Sequence, residues 1–216
     1  TVHDTFPKPE ATKNFWIGFD TLETALAFRR EVCLDNPKDL PISVEYLDRD
    51  SFDVIDRAGR ILGLTIKMTG SSSPLVARMW GVKQFIENLP FPGMSNVVDK
   101  FLHHANNLFP ATLPDAIMQT GRSMDHHVAM TVGEYGDGNM ERLMDRLQKF
   151  ASKHGQDKIR IHEVADKDAG SLAAFRFVAA PAFRTWCVGE NAQGFSVDYS
   201  LPRNGGQAPV LDDNVK

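Results

Sequence analysis

The sequence has little cysteine, no long hydrophobic run and no nucleotide-binding signature, and each absence excludes a class of protein. Its 216 residues contain two cysteines, Cys33 and Cys187, which are too few for a disulfide framework and lack metal-ligand spacing. We therefore expect two buried, unpaired thiols in a reducing compartment. No apolar stretch reaches the roughly 20 residues of a spanning helix, and no Gly-x-Gly-x-x-Gly or Walker loop occurs. The polar, proline-punctuated start predicts no signal peptide, so we expect a soluble chain.

Charge is distributed unevenly along the chain. The formal net charge is −4, yet seven Lys and Arg stand against three acidic residues between Arg57 and Met124. A cationic region in an acidic protein favours docking on anionic lipid headgroups, where each basic residue contributes about 1 kcal/mol. The alternative is an ordinary surface, and charge alone favours it because the basic residues are scattered.

The outer parts of the sequence predict one α+β module. Alternating apolar residues predict strands at 13–20, 42–47, 127–134, 158–164 and 195–201. Helical spacing predicts helices after residue 21, over 140–154 and over 169–186, the last one bent or broken at Pro181. Two strand-helix-strand halves of this kind predict a ferredoxin-like antiparallel sheet with helices on one face. We assign residues 1–56 and 125–204 to this module and expect 205–216 to be disordered.

The middle of the chain, residues 57–124, predicts a mostly helical insertion. Apolar residues recur at helical spacing over 75–89 and 96–108. Phe91, Met94 and Phe109 lie in the apolar, proline-stiffened segments beside these helices. They either fold back on the helices or dip into a bilayer interface, as amphipathic peripheral anchors do.

A charged corner joins the module to the insertion. After the strand at 42–47, Asp48-Arg49-Asp50-Ser51 predicts a helix start, with Asp50 or Ser51 as the cap and Phe52 and Ile55 buried. The corner is either a solvated cap or a surface that faces a polar ligand or another domain.

Histidines and one arginine are the remaining candidates for chemistry. His103-His104 and His126-His127 are adjacent pairs, whose rings point apart, so we predict structural roles and no metal site. Gly136-Asp-Gly-Asn139 predicts a helix-capping turn. Arg176 lies on an otherwise apolar helix, where its guanidinium must find an anion. That anion is either a ligand carboxylate or a carboxylate of the sheet.

Five segments in order resemble the respiratory, quinone-linked D-lactate dehydrogenases, which are FAD enzymes bound peripherally to bacterial membranes. The segments are LPISVEYLDRDSFDVIDRAG, KFLHHANNLFPATLPDAI, DHHVAMTVGEYGDG, SLAAFRFVAAPAFR and VDYSLPRN. The resemblance runs from about Lys13 to Asn204, and it covers the cap and membrane-binding regions of that family.

This resemblance implies a function for the two parts of the chain. The cap would bind D-lactate or a related 2-hydroxy acid, which gives its hydride to FAD on a domain absent from this chain, with quinone as electron acceptor. The implied substrate-binding residues are Arg176, Arg203, Asn204, Glu45, Tyr46 and Arg49. The implied membrane-docking residues are Arg57, Arg60, Lys67, Arg78, Lys83, Lys100, Phe91, Met94 and Phe109.

The resemblance also implies a location and a limit on activity. We expect a peripheral protein on the cytoplasmic face of the bacterial inner membrane, with no nucleic-acid partner and no activity of these residues alone. The alternative is a non-catalytic, ferredoxin-like ligand-binding or interaction module with a helical insertion.

Overall fold

Four antiparallel strands form the centre of this computed structural model, which describes residues 8–36, 39–70, 74–87, 94–155 and 157–190. The strands are β1 (Ala11–Phe19), β2 (Ser43–Asp48), β3 (His126–Glu134) and β4 (Ile159–Val164). They lie in the order β2-β3-β1-β4, with every neighbouring pair antiparallel. The predicted α+β, ferredoxin-like sheet is confirmed. The strand predicted at 195–201 and the tail at 205–216 lie outside the described residues.

Helices account for most of the remaining described chain. They are α1 (Leu22–Phe28, continued by a π-helical turn at Arg29–Cys33), α2 (Arg49–Ala58), α3 (Arg60–Thr69), α4 (Pro74–Glu87), α5 (Met94–Asn106), α6 (Asp115–Ser123), α7 (Asn139–His154), α8 (Asp166–Phe177) and α9 (Ala179–Gly189). Five of them, α2 to α6, lie between β2 and β3. The predicted helical character of this segment is therefore confirmed.

The two crossover helices, α1 and α7, pack on one face of the sheet, as predicted. Alternate residues of β1 and β3 point towards them because side chains in a strand alternate between faces. The resulting core contains Phe15, Phe19, Phe28, Met130 and Leu147, each no more than 1% exposed. Among the described residues, this core is built from the strands together with α1 and α7, without a contribution from the inserted segment.

The opposite face of the sheet is covered by helices of the inserted segment together with α8. Trp16 of β1 lies at its centre, fully buried against Phe52 of α2 and Phe175 of α8, with ring centroids 5.6 and 5.7 Å away. Ile117 of α6 completes the same cluster. The sheet is thus covered on both faces, whereas the sequence predicted helices on one face only.

The C-terminal helix breaks at Val178, three residues before Pro181. A proline nitrogen cannot donate to the carbonyl four residues earlier, and its ring clashes with that carbonyl. The last intact turn therefore ends at Phe177, and Pro181 lies in the first turn of α9. The redirected α9 packs against α5 and α2.

Two local predictions need correction. Helix α2 is capped by Asp48, whose carboxylate accepts the backbone N–H of Ser51 at 2.7 Å, and not by Asp50 or Ser51. Asp48 ends the strand in an extended conformation, which is the geometry that a capping residue needs. Cys33 is buried, and burial raises the pKa of its thiol to about 12, whereas Cys187 is half-buried.

Candidate functional site

Arg176, in the last turn of α8, reaches the exposed edge of the sheet at β2. Its guanidinium binds the Glu45 carboxylate through two nitrogens, with Nε 2.7 Å from Oε2. It also donates to the hydroxyls of Ser43 at 2.9 Å and Thr131 at 3.2 Å. Such a two-pronged pair fixes both position and orientation of the guanidinium. Of the two anions considered from the sequence, the structure shows the sheet carboxylate.

Lys67 and Arg176 line one cavity of about 620 Å³, which we name the Arg176 cavity. Helix α3 contributes Lys67 and helix α8 contributes Arg176, with Gly70, Gly170 and Phe177 among the other lining residues. The Lys67 ammonium contacts the carbonyl of Thr112 at 3.4 Å. A residue predicted to face lipid therefore lies beside the residue predicted to bind substrate.

Tyr46 does not share a site with Arg176 and Glu45. Adjacent strand residues point to opposite faces, so Tyr46 lies on the α1 side, where its hydroxyl is 2.7 Å from Nδ1 of His126. Glu45 and Tyr46 therefore lie on opposite faces of the sheet, and the substrate-binding role predicted for Tyr46 stays a prediction. Arg203 and Asn204 lie outside the described residues, so their proposed role stays a prediction.

Arg49 joins the two ends of the inserted segment. Its Nε donates to the carbonyl of Met124 at 3.2 Å, and its terminal nitrogen lies 3.0 Å from the Asp125 carboxylate. Its backbone N–H also donates to the carbonyl of Asp125 at 2.9 Å. The charged corner therefore closes on the start of β3. Its observed partners are structural, and sequence reasoning missed Asp125 because the partner lies far along the chain.

His127 lies fully buried beneath this corner. Its ring stacks on Trp16 and packs on Phe52, with centroids 5.7 and 5.4 Å away. Burial, aided by the positive charge of Arg49, lowers the pKa of His127 to about 4. The ring is therefore neutral at physiological pH. Its neighbour His126 points to the other face, so the pair does not converge on one ligand.

Helices α4 and α5 expose large apolar side chains on their outer side. Val82 and Phe85 of α4, Val97 and Phe101 of α5 and Leu108 in the turn after α5, which we name the apolar face, have exposed fractions between 58 and 84%. Isolated exposed apolar residues are common, but a contiguous group marks an interaction surface. Val82, Val97 and Phe101 lie together, because all three line the rim of one cavity.

That second cavity, of about 740 Å³, lies among α3, α4, α5 and α9, and we name it the apolar cavity. Aliphatic side chains provide most of its wall, including Leu62, Val98, Leu102 and Ala182. Arg78, exposed on α4, is the charged residue among the described lining residues. Sequence periodicity found α4 and α5 but not the space enclosed by them and α9.

Polar contacts attach α9 to α5 beside this cavity. The carboxylate of Asp99, fully buried on α5, accepts from Arg184 at 3.2 Å and from Thr185 at 3.3 Å. His103, further along α5, lies 3.2 Å from Glu190. A helix that follows the sheet in sequence thus belongs in space to the helical layer.

The cations predicted to dock on a membrane divide into two groups. Arg60 is paired with Asp56 at 2.8 Å and donates to the carbonyl of Phe109 at 2.9 Å, with 18% of its side chain exposed. These partners hold Arg60 against the protein, and its predicted lipid contact stays a prediction. Arg57, Arg78 and Lys100 are exposed.

The remaining residues predicted to dock on the membrane are only partly covered by the described structure. Phe109 is 42% exposed at the end of the helical layer. Phe91 lies outside the described residues, and the side chains of Lys83 and Met94 do as well. Their docking roles stay predictions.

No described helix is both long and apolar enough to cross a bilayer. Across the described ranges, no three His, Cys, Asp or Glu residues come together as a metal site.

Comparison with known proteins finds one family and several curated relatives. Residues 14–210 match the family described as "D-lactate dehydrogenase, membrane binding". The quinone-dependent D-lactate dehydrogenase of Haemophilus influenzae is 26% identical over 93% of this chain and 35% of its own length. Those of Corynebacterium glutamicum and Escherichia coli are each 27% identical, over 82 and 83% of this chain and 30% of their own lengths. The chain spans about a third of the length of these relatives.

Proposed function

This chain belongs to the D-lactate dehydrogenase membrane-binding family, and on that premise we propose that it attaches a quinone-dependent D-lactate dehydrogenase peripherally to a membrane. In the same proposal, the sheet and α8 form a cap that binds the carboxylate of D-lactate or a related 2-hydroxy acid. The membrane is the bacterial inner membrane, at its cytoplasmic face. Quinone accepts the electrons.

The apolar face of α4 and α5 is the observation that carries the membrane proposal. Phe85, Phe101 and Leu108 are each more than two-thirds exposed, so water contacts large apolar areas that a bilayer interface would cover. Burial of such area is favourable by about 25 cal/mol per Å². The exposed cations Arg78 and Lys100 lie on the same two helices. Apolar insertion combined with attraction to anionic headgroups is how interfacial helices bind.

Co-sedimentation of the chain with vesicles tests this proposal. Phe85→Ser with Leu108→Ser removes two exposed side chains that do not line the apolar cavity. We expect this double variant to bind phosphatidylglycerol vesicles at least 10-fold more weakly than the unmodified chain. Leu22→Ser with Leu26→Ser is the matched control, because both leucines are exposed on α1, on the other side of the sheet. Equal losses in the two variants would contradict docking through α4 and α5.

Arg176 supports the cap part of the proposal. Its guanidinium is already oriented for two-pronged binding of a carboxylate, now that of Glu45. We propose that the substrate carboxylate replaces Glu45 there, and that Lys67, which lines the Arg176 cavity, adds a second positive charge. Glu45 then acts as an internal competitor for the substrate. Arg49 and Tyr46 have no part in this proposal, because their observed partners lie elsewhere.

A flavin does not fit the described residues of this chain. Among the described lining residues, the apolar cavity offers Arg78 as its one charged side chain, and the Arg176 cavity offers Lys67 and Arg176, of which Arg176 is bound to Glu45. We propose that FAD, which accepts hydride when bound, lies in the part of the relatives that this chain does not match. The 216 residues alone should then neither retain FAD on gel filtration nor oxidise D-lactate with added FAD. Flavin retention or activity would contradict this.

A further inference from the structure

The apolar cavity is open towards the surface that we propose to lie in the membrane. Val82, Val97 and Phe101 belong both to its rim and to the apolar face. A molecule dissolved in the bilayer could therefore enter without crossing water. At about 740 Å³, the cavity is within the range of about 300–1,000 Å³ that is typical of small-molecule sites.

The chemistry of the wall selects an apolar chain with a small polar end. Leu62, Val98, Leu102 and Ala182 offer no hydrogen-bonding side chain. The polar lining residues Asn106 and Thr185 are engaged elsewhere: Asn106 with the backbone of Leu102 and Ile61, and Thr185 with Asp99. A polar ligand group buried here would lose its hydrogen bonds to water without replacement. The ligand's body must therefore be hydrocarbon.

Arg78 is the charged residue that a polar end could meet. It is exposed on α4 and lines the cavity, and its guanidinium can donate to carbonyl oxygens and carries one positive charge. A phospholipid would bring a phosphodiester with several acceptors and further headgroup atoms to a rim that is otherwise apolar. A quinone brings two neutral carbonyl oxygens on a compact ring. A guanidinium binds phosphate as well as carbonyl oxygens, so the choice rests on the apolar wall and on the quinone dependence for which the relatives are named, and both favour the quinone.

We propose that the apolar cavity binds the quinone acceptor, with the isoprenoid tail along α5 and α9 and a ring carbonyl at Arg78. This inference rests on the proposed function, since the quinone is the acceptor that the relatives are named for. It adds a place for that acceptor in the helical layer. The cap and the acceptor site are then on different layers of the same chain.

Equilibrium dialysis of the full chain with decylubiquinone tests the proposal without any membrane. Val98→Trp fills the cavity from α5, and Met79→Asp places a carboxylate on its half-buried lining on α4. We expect both variants to weaken decylubiquinone binding at least 10-fold. Leu26→Trp, on exposed α1, is the matched control and should bind like the unmodified chain. Thermal unfolding of each variant identifies any that fails to fold, and Met79→Asp then decides if Val98→Trp does not fold.

Vesicle binding separates failure of this inference from failure of membrane docking. The Phe85→Ser, Leu108→Ser variant should lose vesicle binding and keep its decylubiquinone affinity within twofold. The proposed quinone site is wrong if the unmodified chain does not bind decylubiquinone, or if folded cavity variants bind it as well as the unmodified chain does. Neither result would contradict docking on vesicles. If dihexanoylphosphatidylglycerol, below its micelle concentration, binds more tightly and displaces decylubiquinone, the cavity is a phospholipid site and the proposal is overturned.

Discussion

Arg49 and Asp125 meet where the inserted helical segment leaves the sheet and returns to it. Their side chains are 3.0 Å apart, and the Arg49 N–H donates to the Asp125 carbonyl at 2.9 Å. Next to them, Asp48 and His126 are paired across β2 and β3. The inserted segment therefore starts and ends at one point of the sheet.

We expect Arg49→Met to lower the free energy of unfolding by about 1 kcal/mol. Both charged groups are about half exposed, which keeps the ion pair itself at about 0–1 kcal/mol, and the bond to Met124 adds to it. Urea unfolding measures the change. The control is Arg57→Met, because the Arg57 side chain is exposed on α2 and lies 3.9 Å from Asp53. Equal effects of the two substitutions would show that the corner contributes nothing special.

Buried His127 predicts loss of stability in mild acid. The unfolded chain takes up the proton near pH 6.5, whereas the folded chain takes it up near its lowered pKa of about 4. Stability from this residue is therefore present above pH 6.5 and falls as the pH drops towards 4. The total is about 3 kcal/mol, from about 1.4 kcal/mol per pKa unit.

His127→Phe should flatten this part of the pH profile, measured by urea unfolding between pH 4 and 7. His104→Gln, at an exposed position of α5, is the control and should leave the slope unchanged. A slope that survives in His127→Phe would assign the acid sensitivity to another group, such as His162, whose pKa burial also lowers.

Asp39→Ala should cost about 2 kcal/mol of stability. Its carboxylate is 1% exposed and accepts from Arg142 at 2.7 Å and from Arg146 at 3.2 Å. The Arg142 hydrogen bond holds the pKa of Asp39 below its usual value. Loss of the carboxylate removes the anion that Arg142 and Arg146 share, and of the two, within the described residues, only Arg142 has a second carboxylate nearby, that of Asp137 at 3.5 Å.

The matched control for that substitution is Asp145→Ala on the same helix α7. Asp145 is exposed and pairs with Lys149 four residues on, at 2.6 Å, which is worth about 0.3–0.5 kcal/mol. Thermal unfolding compares the two. If Asp39→Ala costs no more than Asp145→Ala, the buried carboxylate does not fasten its loop to α7.

Exposed and paired cations should differ in vesicle binding. Arg78→Gln and Lys100→Gln should each weaken binding to phosphatidylglycerol vesicles about fivefold at low salt, because each cation contributes about 1 kcal/mol. Arg60→Gln should leave vesicle binding unchanged and lower the melting temperature, because Arg60 is paired within the protein. Weaker vesicle binding by Arg60→Gln would show that Arg60 contributes to membrane docking, as the sequence predicted.

Arg176 and Glu45 should act in opposite directions on substrate affinity. In the full-length protein, Arg176→Met should raise the KM for D-lactate at least 10-fold, because it removes the proposed carboxylate partner. Glu45→Gln should lower KM, because the internal competitor loses its charge. An unchanged KM in both variants would mean that the pair is structural alone.

The sequence predicted local periodicity well and long-range partners poorly. Strands β1 to β4 were found from alternation, which is strongest where one face of a strand is buried, as for Phe15 and Ile17 of β1. The ion pair that stabilises the corner was missed, because Asp125 lies far from Arg49 in the chain. Arg60 was assigned to lipid for its charge, although Asp56, one turn earlier on the adjoining helix, holds it.

The candidate sites were less predictable than the fold. Sequence reasoning chose Arg176 because a guanidinium on an apolar helix needs an anion, and it also named Glu45. Alternation along the predicted strand at 42–47 already places Glu45 and Tyr46 on opposite faces, but the sequence could not show on which face Arg176 would lie. The apolar cavity could not be predicted from the sequence, because its wall depends on α9, which the helix break at Val178 directs against α5.

The turn at Val178 has a mechanical consequence for the whole molecule. Helix α9 follows α8, which packs on the sheet, and it packs on α5 and α2, so it connects the helical layer to α8 in addition to the corner at Arg49 and Asp125. Together with the direct packing of α2 and α6 on the sheet, this makes the contact between the helical layer and the sheet continuous. The depth at which α4 and α5 rest in lipid would then fix the height and tilt of the sheet above the bilayer.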